Sequence, residues 1–528
     1  MSVRGLTSYP FSNFGKGLNL RDKPDTVDPA SAVDALNVLF TDVGAIQQRP
    51  GYTDFSAELT NRAESLEAFY TTSGTKQLLA GCGSRLEAIG SSGAVKASAT
   101  GLTAAIWDFT RYGTPGAEVA YAGNGTDTLR KWNGTEWTAP TASVNSEAGK
   151  AMPKAGSICI WPSAGNRMVA TRFSGTTGGP GGATSSPSHV WFSDPGNPEA
   201  WHTAEPEENQ VQLSPGDGEA IQAAVTWNEF VFVFKETSFF VFTGQGTDAD
   251  GSPEFVYRPV QAGVGLVSPR AVCVHPTGVY FMARDGVYRT TGQEPVLISH
   301  FVEPIWTGET SPFYTGGIIS HGSITHCTMA SWENRIFLSF PTDAANDRVL
   351  VFEPRSGWWS LYDLPMSCMT SFRIADKEEL VFGYSSGAKK IGRHSIVYTS
   401  DGGETIRSHW RSGWFDLGSP DVKTLRMSKA WGTGKVSVAL GFDFHENRGA
   451  LDELNFSDPD VSLWNTGEWG QTVWAEPRGL VASFRRRAVR GTTFSLYLTN
   501  STLDQDWSLH RIDHLLREIA KPSKVTTT

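Results

Sequence analysis

Between about residues 64 and 400, apolar and polar positions alternate in short runs, and the runs break at Gly, Asp, Asn or Pro. A period of two bounded by turn residues predicts half-buried β-strands rather than helices. Ala223 to Phe242 (AAVTWNEFVFVFKETSFFVF) reads as two strands around Lys235-Glu236-Thr237, with Phe, Val and Trp on the buried positions. Ala271 to Arg289 repeats the pattern with turns at Pro276-Thr277-Gly278 and Arg284-Asp285-Gly286, and Met329 to Leu361 with turns at Glu333-Asn334 and Arg355-Ser356-Gly357. Candidate units begin near Glu64, Leu102, Gly156, Ala220, Val264, Ser320 and Met366. That spacing clusters around the roughly 40–50 residues of a four-stranded propeller blade. A lone blade cannot hide both of its apolar faces, so serial blades must pack on one another. The expected fold is all-β: a β-propeller of about six to eight blades over residues 61–400.

The flanks differ from this rhythm. Residues 1–60 read as an N-terminal arm and β-hairpin: Gly17-Leu18-Asn19-Leu20-Arg21, a short helical candidate around Pro29 to Ala35, then Leu36 to Phe40, then two strands around a Gly turn over Asp42 to Tyr52. Ser174 to Ser188 (SGTTGGPGGATSSPS) is a Gly- and Ser-rich stretch without a core of its own, expected to form a mobile surface loop, with a contact loop that orders on assembly as the alternative. Residues 401–528 are expected to form a separate β-sandwich-like unit, with strands over Val436 to Phe444, Ala482 to Val489 and Thr493 to Leu498. In it Trp464, Trp469 and Trp474 cluster, and Ile512 to Ile519 forms a short helix or final strand. The polar end, Lys521 to Thr528, is expected to be mobile.

Composition supports this reading. With 55 Gly, 28 Pro and 18 Trp in 528 residues, the chain has the turn formers and large apolar side chains that many short packed strands need. The formal net charge of -10 argues against a surface built to grip nucleic acid, which requires Lys and Arg to displace condensed counterions. A weakly repulsive wall would instead let DNA slide past. Cys82, Cys159, Cys273, Cys327 and Cys368 show no CxxC spacing and read as reduced core residues. The start of the chain lacks the apolar run of a signal peptide, and no stretch approaches about 18 consecutive apolar residues. A product made in the cytoplasm, soluble until it assembles, is expected.

No catalytic, cofactor-binding or metal-binding residues emerge. Neither a phosphate loop nor a GxGxxG opening a helix is present; Gly263-Val264-Gly265 comes nearest, as a turn between strands. His321 and His326, if on a strand, would point to opposite faces and suit a metal poorly. Thr399-Ser400-Asp401-Gly402-Gly403-Glu404-Thr405 is similar to the Asp-box hairpin of sialidase-type propellers, with Ile406 in place of the aromatic residue. That box is a turn motif and supports hairpins more than glycoside cleavage. Arg485, Arg486, Arg487 and Arg490 alternate along a strand-like run, as a solvated or intersubunit face or as contacts to DNA phosphate. The chain is not expected to be an enzyme.

The serial order of short motifs resembles a known family. Gly17-Leu18-Asn19-Leu20-Arg21, Ala35-Leu36-Asn37-Val38 and Gly44-Ala45-Ile46-Gln47-Gln48-Arg49-Pro50-Gly51-Tyr52 look like the N-terminus of bacteriophage tail nozzle and stabilisation proteins, of the tail tubular protein B type. Asn166-Arg167-Met168, Val190 to Pro198 with Trp201, Gly216 to Ile221, Val233 to Glu236, Phe242-Thr243-Gly244, Gly263-Val264-Gly265 and Asp285-Gly286-Val287-Tyr288 follow in that family's order, and in that of related minor tail proteins. The resemblance spans roughly Gly17 to Trp414. It implies a virion structural protein: a ring-forming subunit, commonly a hexamer, that contacts a tail adaptor or tail tube protein and other tail proteins or fibres, and through which phage DNA passes at ejection. The implied location is the tail of the virion, assembled in the host cytoplasm. A peripheral minor tail position and a glycan-binding or glycan-hydrolysing propeller acting on the host surface are the alternatives.

Overall fold

Each expected repeat forms one sheet, antiparallel throughout except for one parallel pair in the third, and among the described residues seven such sheets follow one another around a ring. In the computed structural model of the chain, the described residues are 7–104, 106–203, 209–247, 253–260, 263–417, 421–445, 452–456, 461–462, 473–474, 480–484, 489–503 and 505–518. The innermost strands of blades 1 to 7 are Ser65–Tyr70, Asp108–Tyr112, Ala155–Trp161, Ala223–Trp227, Val272–His275, Thr328–Trp332 and Met366–Ile374. The structure is therefore a β-propeller, and its blade boundaries fall close to the unit starts read from turn spacing. Blade 3 is enlarged: beyond His189–Asp194 and Asn197–Trp201 its sheet continues through Thr141–Val144 to Glu147–Ala151, the last of these exposed along its whole length.

Apolar burial between blades holds the ring. Trp161, Phe192, Val233 and Phe242 close the seam between blades 3 and 4, and Leu78, Ile89, Phe372 and Val381 close it between blades 1 and 7. Each fully buried side chain of this size is worth about 1.5–3 kcal/mol, so a blade is stable only with its neighbours in place. Ring closure uses the beginning of the chain: Tyr52–Asp54 pairs with Ile391–His394 as the outermost strand of blade 7. Gly51 allows this, because a Cβ there would lie 2.1 Å from the Ser400 carbonyl oxygen.

The remaining strands build a β-sandwich from both ends of the chain. One sheet runs Val38–Phe40, Ile46–Gln48, Ser508–Glu518, Lys423–Thr433, Leu480–Phe484, with Thr7–Phe11 and Val489–Gly491 attached. The other runs Ala32–Leu36, Ser408–Ser412, Phe494–Asn500, Lys435–Phe442, Asp452–Asn455. Phe11, Phe14, Trp410, Leu498, Trp507 and Ile512 lie in the core between them. The described strands within residues 1–60 are thus not a separate arm, and those within residues 401–528 do not form a unit alone. An edge strand with unpaired N–H and C=O groups is satisfied by pairing, and here the N-terminal strands supply the partners.

Two local expectations are corrected and one is resolved. The helical candidate at Pro29 to Ala35 is the strand Ala32–Leu36, paired with Ser408–Ser412, where ladder bonds outweigh local helix preference. Ser174 to Ser188 is fastened down: Lys154 N–H donates to the Gly178 carbonyl at 2.8 Å, Pro180 is buried, and Ser185, 2% exposed, donates to the Gly175 carbonyl at 2.6 Å. Of the two forms open to the run from Ile512, the strand is the one adopted, as part of the long element Ser508–Glu518. Of the expected tryptophan cluster, Trp464 and Trp469 lie outside the described residues, as do Arg485, Arg486, Arg487 and the tail from Lys521.

The two units are joined by backbone hydrogen bonds. Leu18 N–H donates to the Trp359 carbonyl at 2.9 Å, Asn37 N–H to Leu361 at 2.8 Å and Leu20 N–H to Phe301 at 2.8 Å. Gly17, at φ 76°, turns the chain where a Cβ would sit 2.5 Å from that of Trp358. All five cysteines are buried thiols. No helix among the described residues is long and apolar enough to cross a membrane.

Candidate functional site

The first residues of the inner strands line a small cavity of about 200 Å³ on the ring axis, with walls from blades 1, 2, 4, 5, 6 and 7. Arg270, in the loop entering blade 5, is part of its wall. Its guanidinium donates to the carbonyls of Glu64 at 2.8 Å, Ser367 at 2.9 Å and His326 at 3.3 Å, so one side chain ties blades 1, 7 and 6 to blade 5. Arg is suited to this task because its rigid fork presents several donors at once. Burial works against the charge of Arg270 and lowers its pKa from the ordinary value. Arg270 thus bridges four blades beside the axial cavity.

Two acids meet inside the ring. Asp108, at the start of the blade 2 inner strand, accepts bonds from the Ser157 hydroxyl at 2.8 Å and the Ile158 N–H at 3.0 Å, which tie blade 2 to blade 3. Burial raises its carboxyl above the usual range in spite of these bonds. Glu67, on the blade 1 inner strand, pairs with Arg111 at 3.2 Å. Burial, with the Asp108 charge adding to it, pushes Glu67 up to about 7 although Arg111 opposes the shift. A carboxyl whose folded pKa lies above its unfolded value near 4.5 costs stability as pH rises from about 4.5 to about 7. The Glu67 side chain keeps 25% of its exposure, so we expect Glu67→Gln to be more stable than the parent by about 1–2 kcal/mol at pH 8, an advantage that disappears by pH 4. Urea melts at the two pH values test this; an equal change at both would show that the carboxyl is not held in its neutral form.

At the other end of these strands, a larger cavity of about 570 Å³ opens between blades 1, 2 and 7. Its walls include the turn after Tyr70 and the end of the strand Met366–Ile374, and Lys76 Nζ donates to the Ala375 carbonyl across the gap between the two blades. Among the described residues no group of three or more His, Cys, Asp or Glu side chains is arranged to hold a metal.

Several sequence motifs prove to be partners. Lys235, with 0% side-chain exposure, donates to Asp217 at 2.6 Å and to the Leu213 carbonyl at 2.9 Å, which joins Phe234-Lys235-Glu236 to Gly216-Asp217-Gly218. Arg167 donates to the Ser193 carbonyl at 3.0 Å and Met168 N–H to the Ser193 hydroxyl at 2.8 Å, which joins Asn166-Arg167-Met168 to the segment Val190 to Pro198. Gly265 backs onto the Lys235 carbonyl, and no helix follows it. His321 and His326 lie in a short 3-10 turn rather than a strand, and bond separately to the carbonyls of Trp306 and Ala344, each at 2.9 Å. Trp161, Trp191, Trp201, Trp358, Trp359 and Trp410 are among the largest fully buried side chains, so they fill cores and present no stacking surface.

Sequence reasoning missed one centre. Asp401, in the hairpin similar to an Asp-box, accepts two bonds from Arg49, from Nη1 at 2.9 Å and from Nη2 at 2.6 Å. Arg49 is fully buried and also donates to Asn37 Oδ1 at 2.6 Å and to Asp363 at 3.1 Å. Asn37, at φ 57°, lies between two sandwich strands, Asp363 follows blade 6, and Asp401 follows blade 7. One guanidinium thus pins the place where the chain crosses from the sandwich into the last blade. Arg-Pro-Gly was visible as a motif, but the two distant carboxylates were not.

These features define the class: a seven-bladed β-propeller with a closing strand from its N-terminal segment, joined to a β-sandwich woven from both chain ends. No protein-family model matches the chain, and no curated protein matches it. Among solved structures, BBS1N in complex with ARL6DN is similar at 11% identity and a TM-score of 0.38, over 66% of this chain and 98% of that one. The extracellular domain of the putative one component system BT4673 from B. thetaiotaomicron is similar at 10% identity and a TM-score of 0.39, over 79% of this chain and 57% of that one.

Proposed function

We propose that the chain is a non-enzymatic structural subunit of a tailed bacteriophage particle, a ring-forming component of the tail nozzle or hub. The observation that carries this reading is the path of residues 17–54, the segment that resembles the start of the tail nozzle proteins. Its strands belong to the sandwich and to blade 7, and its Arg49 joins both to blade 6. Such cross-linking suits a part that transmits force as one body. In this reading the partners are further copies of the chain, commonly six in the family it resembles, a tail adaptor or tail tube protein, and other tail proteins or fibres. In this reading the DNA path lies along the axis of the ring of copies. The acidic balance of the chain then limits DNA binding during passage. The subunit assembles in the host cytoplasm and resides in the tail of the virion.

Mass spectrometry and a cryo-EM reconstruction of purified particles carrying this gene test the proposal. The chain is expected in the particle as a ring coaxial with the tail. Density off the axis would move the assignment to a peripheral minor tail protein, and absence from the particle would overturn it.

A further inference from the structure

The 570 Å³ cavity between blades 1, 2 and 7 is unlike the rest of this acidic chain. Lys76, Arg111 and Arg373 reach it from three different strands, against two acids, Glu67 and Glu378. One of those acids is only partly charged at neutral pH, since burial pushes Glu67 up to about 7. The pocket is thus locally positive on a protein of net charge -10. Arg373 is exposed, and its guanidinium has no ion-pair partner among the described residues. Its backbone N–H donates to the Tyr70 hydroxyl at 2.8 Å, which sets the strand that carries it against blade 1. Tyr70 is itself stacked on Phe372 at 6.0 Å between ring centroids and 12° between planes, so this wall is rigid.

The neutral part of the lining is equally selective. Thr370, on the same face of its strand as Phe372, lines the cavity from blade 7, and Thr71 and Thr75 line it from the opposite turn. Cations that can meet an anionic group, next to several hydroxyls that can exchange hydrogen bonds with a polyol, are complementary to an acidic sugar. The volume falls in the range of about 300–1,000 Å³ typical of small-molecule sites.

We propose that this cavity binds one anionic sugar residue, with its carboxylate or phosphate between Arg111 and Arg373 and its hydroxyls on Thr370, Thr71 and Thr75. The site is a binding site only, and it stands whether or not the chain belongs to a phage tail. Carboxylate and phosphate share the same recognition by guanidinium forks, so the probes must separate them.

The test uses the full chain and three probes, galacturonic acid, glucose 6-phosphate and glucose, followed by saturation-transfer NMR and calorimetric titration. Saturable binding of at least one charged probe, with glucose bound at least about tenfold more weakly, a difference of about 1.4 kcal/mol, is expected. The charged probe that binds identifies the anionic group. Arg373→Gln lies on an exposed hairpin side and leaves the core untouched, and it is expected to weaken binding about tenfold or more. A second variant, Thr370→Val, should weaken binding without changing the ratio between charged and neutral probes. Equal binding of all three probes, no saturable binding of either charged probe, or full affinity in Arg373→Gln would each overturn the proposal.

Discussion

Replacing Arg49 by Met is expected to lower the unfolding free energy by about 3–5 kcal/mol, because it breaks a buried, multiply bonded ion pair and strands the groups that faced it. Arg49 is fully buried while the Asp401 side chain keeps 15% and that of Asp363 36% of its exposure. Water can therefore solvate part of the abandoned charge, which places the expected loss nearer the lower end. Lys cannot reproduce the four-way arrangement to Asn37, Pro50, Asp363 and Asp401, so Arg49→Lys should recover only part of the loss. The damage should also be local first. Hydrogen exchange in Tyr52–Asp54, which closes blade 7, should accelerate more than exchange in blade 4. Denaturant melts and exchange of the two variants check this; a loss below about 1 kcal/mol would mean that the hub is incidental to closure.

Acidification is expected to destabilise the protein through two buried imidazoles. His394, against Trp332 and Phe337 in the seam of blades 6 and 7, is pushed down to about 3 by burial, with the Arg49 and Arg335 charges adding to the shift. His514, bonded to Ser428 at 2.8 Å inside the sandwich, is pushed down to about 4 by burial. Both have folded values below the ordinary 6.5, so the unfolded chain binds more protons in acid. The stability they provide is complete above pH 6.5 and is lost as pH falls towards those lower values. At about 1.4 kcal/mol per unit, each contributes a loss of roughly 2–3 kcal/mol by pH 4.5. Glu67 acts in the opposite direction over part of the same window, so the sum for the whole chain is smaller than these two effects. The separate contributions are read from His394→Gln and His514→Gln, whose stability difference between pH 7 and pH 4.5 should shrink by those amounts. Titration of the two imidazoles by NMR gives an independent measure: a midpoint near 6.5 for either would remove its share of the effect.

The alternation of apolar and polar residues, with turn formers at regular intervals, was enough to determine a propeller and to place its blade starts within a few residues for most blades. This follows because period-two burial and turn chemistry are local properties, written into each strand by its own residues. The paired roles of Lys235 with Asp217 and of Arg167 with Ser193 were present in the sequence only as separate motifs. Tertiary structure alone decided that residues 7–48 complete the sandwich, that Tyr52–Asp54 closes blade 7, and that Arg49 reaches Asp363 and Asp401. The same is true of the axial acids and of the pocket around Arg373, whose members come from different blades. Edge pairing and charge pairing join groups hundreds of residues apart, and their partners are chosen by which surfaces the closed ring leaves side by side. No local pattern encodes that choice.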